Sequence, residues 1–120
     1  MKALVVDDSE VMRKVLSGAL QRAGFSDVEQ AADGEEAVAA VNETEFNLIL
    51  MDWYMPNKLG IDAVKEIRAA GKTVPIIMVT TEAEKTRVLE ALKAGANNYI
   101  IKPFEPPALV AKIKETLGMD

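Results

Sequence analysis

Apolar residues along the chain follow two rhythms. Five short runs are nearly unbroken: Ala3-Leu4-Val5-Val6, the weaker stretch 28–31, Leu48-Ile49-Leu50-Met51, Ile76-Ile77-Met78-Val79 and Tyr99-Ile100-Ile101. All but the second lack in-out alternation, which predicts parallel strands covered on both faces. The second run predicts an edge strand. Between the runs, apolar residues recur every three or four positions. Val11, Met12, Val15, Leu16, Ala19, Leu20 and Ala23 predict a first helix, with Ser9 as a candidate N-cap and Gly24 beyond its end. Asp33 and Glu36 form a capping-box start for a second helix carried by Ala37, Val38 and Val41. Ile61, Val64 and Ile67 carry a third helix closed by Gly71. Val88, Leu89, Ala91 and Leu92 carry a fourth closed by Gly95, with Leu89 and Leu92 suited to its core-facing stripe. Leu109, Val110, Ile113 and Leu117 carry a fifth, with Pro107 suited to the first turn and Gly118 past the end.

Five strand–helix units in series predict an α/β sandwich, a (βα)5 doubly wound parallel sheet with right-handed crossovers and helices on both faces. The 120 residues carry no repeat and no linker-like tract, so one domain over 1–120 is expected.

Composition narrows the chemistry by what is missing. The chain has no Cys and no His. Disulfides, thiolate or imidazole metal sites, cysteine nucleophiles and Ser-His-Asp catalysis are therefore excluded. Nineteen acidic against fourteen basic residues give a net charge of −5, the wrong sign for neutralising nucleic-acid phosphates. The apolar runs are far too short to cross a bilayer. The first of them meets two aspartates at once, unlike a signal peptide. A soluble cytoplasmic domain without nucleic-acid binding or membrane insertion is expected.

Open α/β sheets bind ligands at the carboxyl ends of their strands, where strand order reverses. Asp7 and Asp8 follow the first strand, Asp52 the third, Thr80 the fourth and Lys102 the fifth. If the first and third strands are neighbours, their ends lie roughly 5 Å apart. Two full negative charges at that distance cost about 3 kcal/mol at an effective dielectric of ~20. A cation relieves that cost, and an all-oxygen donor set favours Mg²⁺. Each residue alone has a plainer reading as cap, turn or surface charge. Four successive strand ends bearing matched polar chemistry do not arise that way.

The chain resembles response-regulator receiver domains of the CheY-like superfamily from Ala3 to about Leu117. The resemblance rests on Val5-Val6-Asp7-Asp8-Ser9, Met51-Asp52-Trp53-Tyr54-Met55-Pro56, Val79-Thr80-Thr81 and Tyr99-Ile100-Ile101-Lys102-Pro103-Phe104. Met12-Arg13, Gly60 and Gly95-Ala96 fall at the same spacing. That family is itself a standard example of the switch-point rule, and it implies the flavodoxin-like strand order 2-1-3-4-5. It also implies Asp52 as phosphoacceptor and Mg²⁺ held by Asp8, Asp52 and the backbone carbonyl of Tyr54, with Asp7 acting through water. Lys102 would pair with phosphoryl oxygens, Thr80 would hydrogen-bond one of them, and Tyr99 would be an aromatic switch. Lys102-Pro103 would be cis. The implied partners are a histidine kinase as phosphodonor, an output protein docking on the fourth helix, fifth strand and fifth helix around Val88 and Tyr99, and a phosphatase. Trp53, Thr80, Tyr99 and the Pro-Phe pair resemble the chemotaxis branch, in which the chain would be a single-domain regulator. A receiver cut from a longer protein fits the same residues.

Some positions depart from the family's habit. Tyr54, two residues past the acceptor, reads as an exposed loop aromatic or a lid against water. Glu82 reads as an orienter of that water or an acid opening the fourth helix. Asn57-Lys58-Leu59 is unusual before Gly60, with Lys58 expected as a solvated side chain near the acidic cleft. Trp53 reads as a packing residue. Two other function classes compete. A Mg²⁺-dependent phosphohydrolase with an aspartyl intermediate would carry Asp-x-Asp after the first strand, where this chain has adjacent aspartates. An FMN-binding protein would carry a Ser/Thr/Gly phosphate loop there, which Asp7 and Asp8 would repel.

Overall fold

The five apolar runs become one parallel sheet, β1 (Lys2–Val6), β2 (Asp27–Ala31), β3 (Leu48–Met51), β4 (Ile76–Thr80) and β5 (Asn98–Ile101), in the order β2-β1-β3-β4-β5. This computed structural model describes residues 1–119; Asp120, the last residue of the expected domain, lies outside them. Five helices connect the strands: α1 (Glu10–Arg22), α2 (Gly34–Glu43), α3 (Gly60–Ala69), α4 (Lys85–Ala94) and α5 (Pro106–Leu117).

The sheet separates two apolar layers, which explains why its central strands show no alternation. Leu4, Val6, Ile49, Met51, Ile76 and Met78 face α2, α3 and α4. Their chain neighbours Ala3, Val5, Leu48, Leu50, Ile77 and Val79 face α1 and α5. Period two is present but invisible in the sequence, because both faces are apolar. Each fully buried Leu, Ile or Val contributes roughly 1.5–3 kcal/mol, so the central strands are the rigid base of whatever stands at their ends.

Local signals act as expected at the helix starts. Ser9 Oγ accepts the Met12 N–H at 3.2 Å, and Asp33 Oδ1 accepts the Glu36 N–H at 2.8 Å. Glu36 reaches back to the Ala32 N–H at 3.1 Å. Pro106 and Pro107 occupy the first turn of α5, where no N–H is needed.

Two expectations fail at the β5 side. Leu89 and Leu92 were expected inward, yet they are 46% and 40% exposed, while Ala91 is fully buried and Val88 half-buried. Helix α4 approaches the sheet through its small residue, and its leucines face solvent. Strand β5 was expected to be covered on both faces, yet Ile101 is 42% exposed. It is the last strand of an open sheet, so nothing pairs beyond it.

Candidate functional site

Strands β1 and β3 are paired, with Val6 opposite Met51. The residues that follow, Asp7 and Asp52, therefore emerge side by side at the strand-order reversal. Asp8 joins them, and one carboxylate oxygen from each of the three lies within 4.8 Å of the others. Asp7 is 1% exposed and Asp52 8% exposed, whereas Asp8 is open to solvent.

Lys102 reaches across from the end of β5. Its Nζ lies 2.7 Å from Asp7 Oδ2 and 3.3 Å from Asp52 Oδ2. The Lys102-Pro103 peptide bond that follows is cis, as the resemblance implies. Asp7 Oδ1 accepts the Ser9 N–H at 2.9 Å, and Asp52 Oδ1 accepts its neighbour Trp53's N–H at 2.7 Å. The Arg13 guanidinium, on α1, donates to the Asp7 carbonyl at 2.7 Å and to Gln30 at 3.0 Å. Sequence reasoning registered Arg13 only as part of a motif; its role in holding the β1 end needs the α1–β2 juxtaposition to be seen.

Lys102 and Asp52 shift in the same direction for different reasons. Burial pushes the Asp52 carboxyl up, Lys102 works against that, and Asp7's charge adds to it. Burial disfavours the Lys102 ammonium, but the hydrogen bond to Asp7 and the charges of Asp52 and Asp7 outweigh it and raise the pKa. The cluster is thus short of positive charge. Three carboxylates and one ammonium leave two negative charges, which one divalent cation neutralises.

The donor set fits such a cation. Its side-chain ligands are all oxygens, held at adjacent strand ends. Among the described residues, the Tyr54 carbonyl accepts no main-chain N–H, leaving it free for a ligand. The loop that carries it is drawn in tightly. Gly60 N donates to Trp53 O at 2.8 Å, and a Cβ at Gly60 would sit 1.8 Å from the Asp52 carbonyl oxygen. Only glycine permits that approach.

Thr80 is fully buried at the end of β4, and its Oγ accepts the Glu82 N–H at 3.3 Å. Tyr99, half-buried on β5, donates its hydroxyl to the Glu82 carbonyl at 2.8 Å. Desolvation, then the Glu82 charge, pushes the Tyr99 phenol up to about 12, so it remains a donor. The Glu82 main chain therefore joins Thr80 to Tyr99. Its carboxylate takes the hydroxyl of Tyr54, which is 49% exposed. That hydrogen bond raises the Tyr54 pKa and lowers that of Glu82, as expected for a phenol donating to an ionised carboxylate. Trp53 is a core residue, 2% exposed.

Two residues stand apart from the cluster. Val88 belongs to α4 and contributes nothing to the acidic cleft. Lys58, expected as a solvated side chain near that cleft, instead pairs with Glu66 on α3. The turn it follows starts α3, so a partner eight residues on lies within reach.

Fold and site together define a flavodoxin-like module with an acidic, cation-seeking cluster at its switch point. Residues 3–114 match the response regulator receiver domain. Chemotaxis protein CheY1 of Helicobacter pylori is 46% identical over 121 residues, covering 98% of this chain and 98% of that protein. A CheY homolog of Campylobacter jejuni is 47% identical, with 98% and 93% covered. Among solved structures, chemotaxis response regulator CheY4 of Vibrio cholerae superposes with a TM-score of 0.89 at 38% identity, covering 97% of this chain and 98% of that one. The chain belongs to the response-regulator receiver family, and it is a signalling switch of the two-component type. Among the described residues, no helix is long and apolar enough to cross a membrane.

Proposed function

We propose that Asp52 accepts a phosphoryl group from a histidine kinase and that the modified domain changes its affinity for an output protein. The observation that carries this reading is the bridge from Lys102 to both Asp7 and Asp52, beside a third carboxylate. An Asp52 carboxylate oxygen forms the new bond to phosphorus as the donor's phosphorus–nitrogen bond breaks. The imidazole keeps the electron pair and takes up a proton. Phosphoryl transfer needs in-line positioning and charge neutralisation above all. Asp8, Asp52 and the Tyr54 carbonyl would hold Mg²⁺, with Asp7 acting through water, and the ion would supply two positive charges against the incoming phosphoryl oxygens.

Lys102 supplies the third positive charge and changes partner from Asp52 to the phosphoryl group. Thr80 gives its hydroxyl to a phosphoryl oxygen. That motion pulls on Glu82, whose main chain carries the Tyr99 hydrogen bond, and so displaces the start of α4. A charge change at one carboxylate thereby biases a second surface. The test is incubation with Mg²⁺ and a small phosphodonor, followed by intact mass and peptide mapping. One phosphoryl group on Asp52 is expected. Donor turnover without an adduct would indicate a hydrolase instead.

Output docks, in this reading, on the α4-β5-α5 face. Leu92 and Ile101 are the exposed apolar residues there, with Tyr99 and Val88 at the border. Val88→Lys and Leu92→Lys are expected to leave phosphorylation of Asp52 unchanged and to weaken partner affinity by at least about tenfold, as for central apolar anchors. Titration of the output protein with phosphorylated parent and variants reads this directly. Unchanged affinity in both would place the output face elsewhere. Similarity to chemotaxis proteins supports a role in chemotaxis; a cytoplasmic location and a phosphatase as a further partner belong to the same proposal.

The Tyr54–Glu82 pair joins the residues two positions past Asp52 and two past Thr80, across neighbouring strand ends. It acts as a lid against water. Tyr54→Ala is expected to shorten the lifetime of the acyl phosphate severalfold, measured as loss of the adduct with time. A lifetime equal to the parent's would assign Tyr54 no gating role.

A further inference from the structure

The loop that offers the Tyr54 carbonyl is held in place from a second direction, by a contact the phosphorylation chemistry does not use. Asn57 is the sole non-glycine residue with positive φ among the described residues, at +68°. The Lys58 N–H donates to the Pro56 carbonyl at 2.7 Å, an i to i+2 bond that closes a γ-turn about Asn57. That form of the turn is rare and strained, and a side-chain-bearing residue persists in it only where neighbours hold it. Asp33 is that neighbour. Asn57 Nδ2 donates to Asp33 Oδ2 at 2.6 Å, while Asp33 Oδ1 caps α2 through the Glu36 N–H at 2.8 Å. Asp33 is 6% exposed, so its two oxygens are committed to two elements at once. Next to it, Gly34 lets the Lys58 backbone lie close; a Cβ there would meet the Lys58 carbonyl oxygen at 2.7 Å.

We infer that Asn57 and Asp33 form a pin between the start of α2 and the β3–α3 loop, and that this pin positions the Tyr54 carbonyl for the divalent cation. The inference rests on the metal reading above. Without the pin the strained turn relaxes, and the carbonyl three residues before it no longer stays aligned with Asp8 and Asp52. Asn57 is a positioning residue and touches no reacting atom. Outer contacts that orient metal ligands are commonly worth about 10- to 100-fold in metal affinity.

Mg²⁺ titration calorimetry of the full chain, with thermal unfolding in chelator alongside, tests it. Asn57→Gly keeps the net charge and tolerates positive φ but deletes the bond. Its Mg²⁺ Kd is expected to rise about tenfold, with the metal-free midpoint near the parent's. Asn57→Asp sets two carboxylates face to face. It too is expected to weaken binding, although an added negative charge alone would tighten it. The exchanged pair Asp33→Asn with Asn57→Asp restores donor and acceptor in swapped order, keeps the α2 cap and keeps the net charge. It is expected to bind Mg²⁺ within about twofold of the parent, since the same hydrogen bond is remade. A parent-like Kd in Asn57→Gly, or failure of the exchanged pair to recover affinity while its midpoint recovers, overturns the pin. A parent that binds no Mg²⁺ overturns the metal reading itself, and the pin with it.

Discussion

Asp52→Asn abolishes the phosphoryl adduct completely and leaves the metal-free protein at least as stable as the parent. Both halves follow from the same geometry. The amide lacks the nucleophilic carboxylate oxygen that forms the new bond to phosphorus. It also removes one of the charges that crowd within 4.8 Å at the β1 and β3 ends. Burial already disfavours the ionised Asp52, and the neighbouring Asp7 adds to that. The hydrogen bond from the Trp53 N–H is retained by the amide oxygen. Intact mass after exposure to Mg²⁺ and a small phosphodonor checks the first half, and thermal unfolding in chelator the second. The Mg²⁺-induced rise in midpoint, which scales as RT ln(1 + [L]/Kd), should shrink in the variant because one ligand charge is gone. A persistent adduct would move the acceptor to another residue. A marked fall in the metal-free midpoint would make Asp52 chiefly structural.

Lys102→Ala destabilises the metal-free protein and makes its stability strongly Mg²⁺-dependent. The ammonium is 2.7 Å from a carboxylate that is 1% exposed, and its removal leaves Asp7 without its cation. Breaking a buried pair by deleting one partner costs about 3–5 kcal/mol. Lys102 keeps some contact with solvent, so roughly 2–4 kcal/mol is the expected loss at neutral pH. Mg²⁺ should recover most of it, because the competing cation has left the cluster. The variant should also bind Mg²⁺ at least as tightly as the parent. Phosphorylation of Asp52 is expected to persist, whereas the phosphorylation-dependent gain in partner affinity, usually ~1–3 kcal/mol in such switches, is lost. Unfolding midpoints with and without Mg²⁺, beside partner titrations, separate these effects. Equal loss of phosphorylation and partner response would place Lys102 in the chemical step.

How much of this was readable beforehand differs by element. Asp7, Asp8, Asp52, Thr80 and Lys102 were legible as a group because each directly follows or ends an apolar run. In a parallel sheet all such ends lie on one edge. Strand pairing then needed only the order of the strands. Glu82 was legible as an acid of uncertain purpose, since its hydrogen bonds with Thr80, Tyr99 and Tyr54 run mostly through main-chain atoms that any residue possesses.

The sequence by itself determined the (βα)5 architecture, the helix caps at Ser9 and Asp33 and the apolar identity of both core layers. These depend on periodicity and on neighbours a few residues apart. Only the tertiary structure decided which face of α4 turns inward. Val88, Leu89, Ala91 and Leu92 spread apolar side chains over nearly half the circumference of that helix, so periodicity alone could not select which edge of the arc meets the core. Close approach of the helix through fully buried Ala91 did. The exposure of Ile101 likewise depends on β5 being the last strand, a property of the sheet and not of the run. The Asn57–Asp33 contact joins residues 24 apart in the chain. A polar side chain carries no periodic signal of its partner, and only the folding of α2 beside the β3–α3 loop brings the two within hydrogen-bond distance.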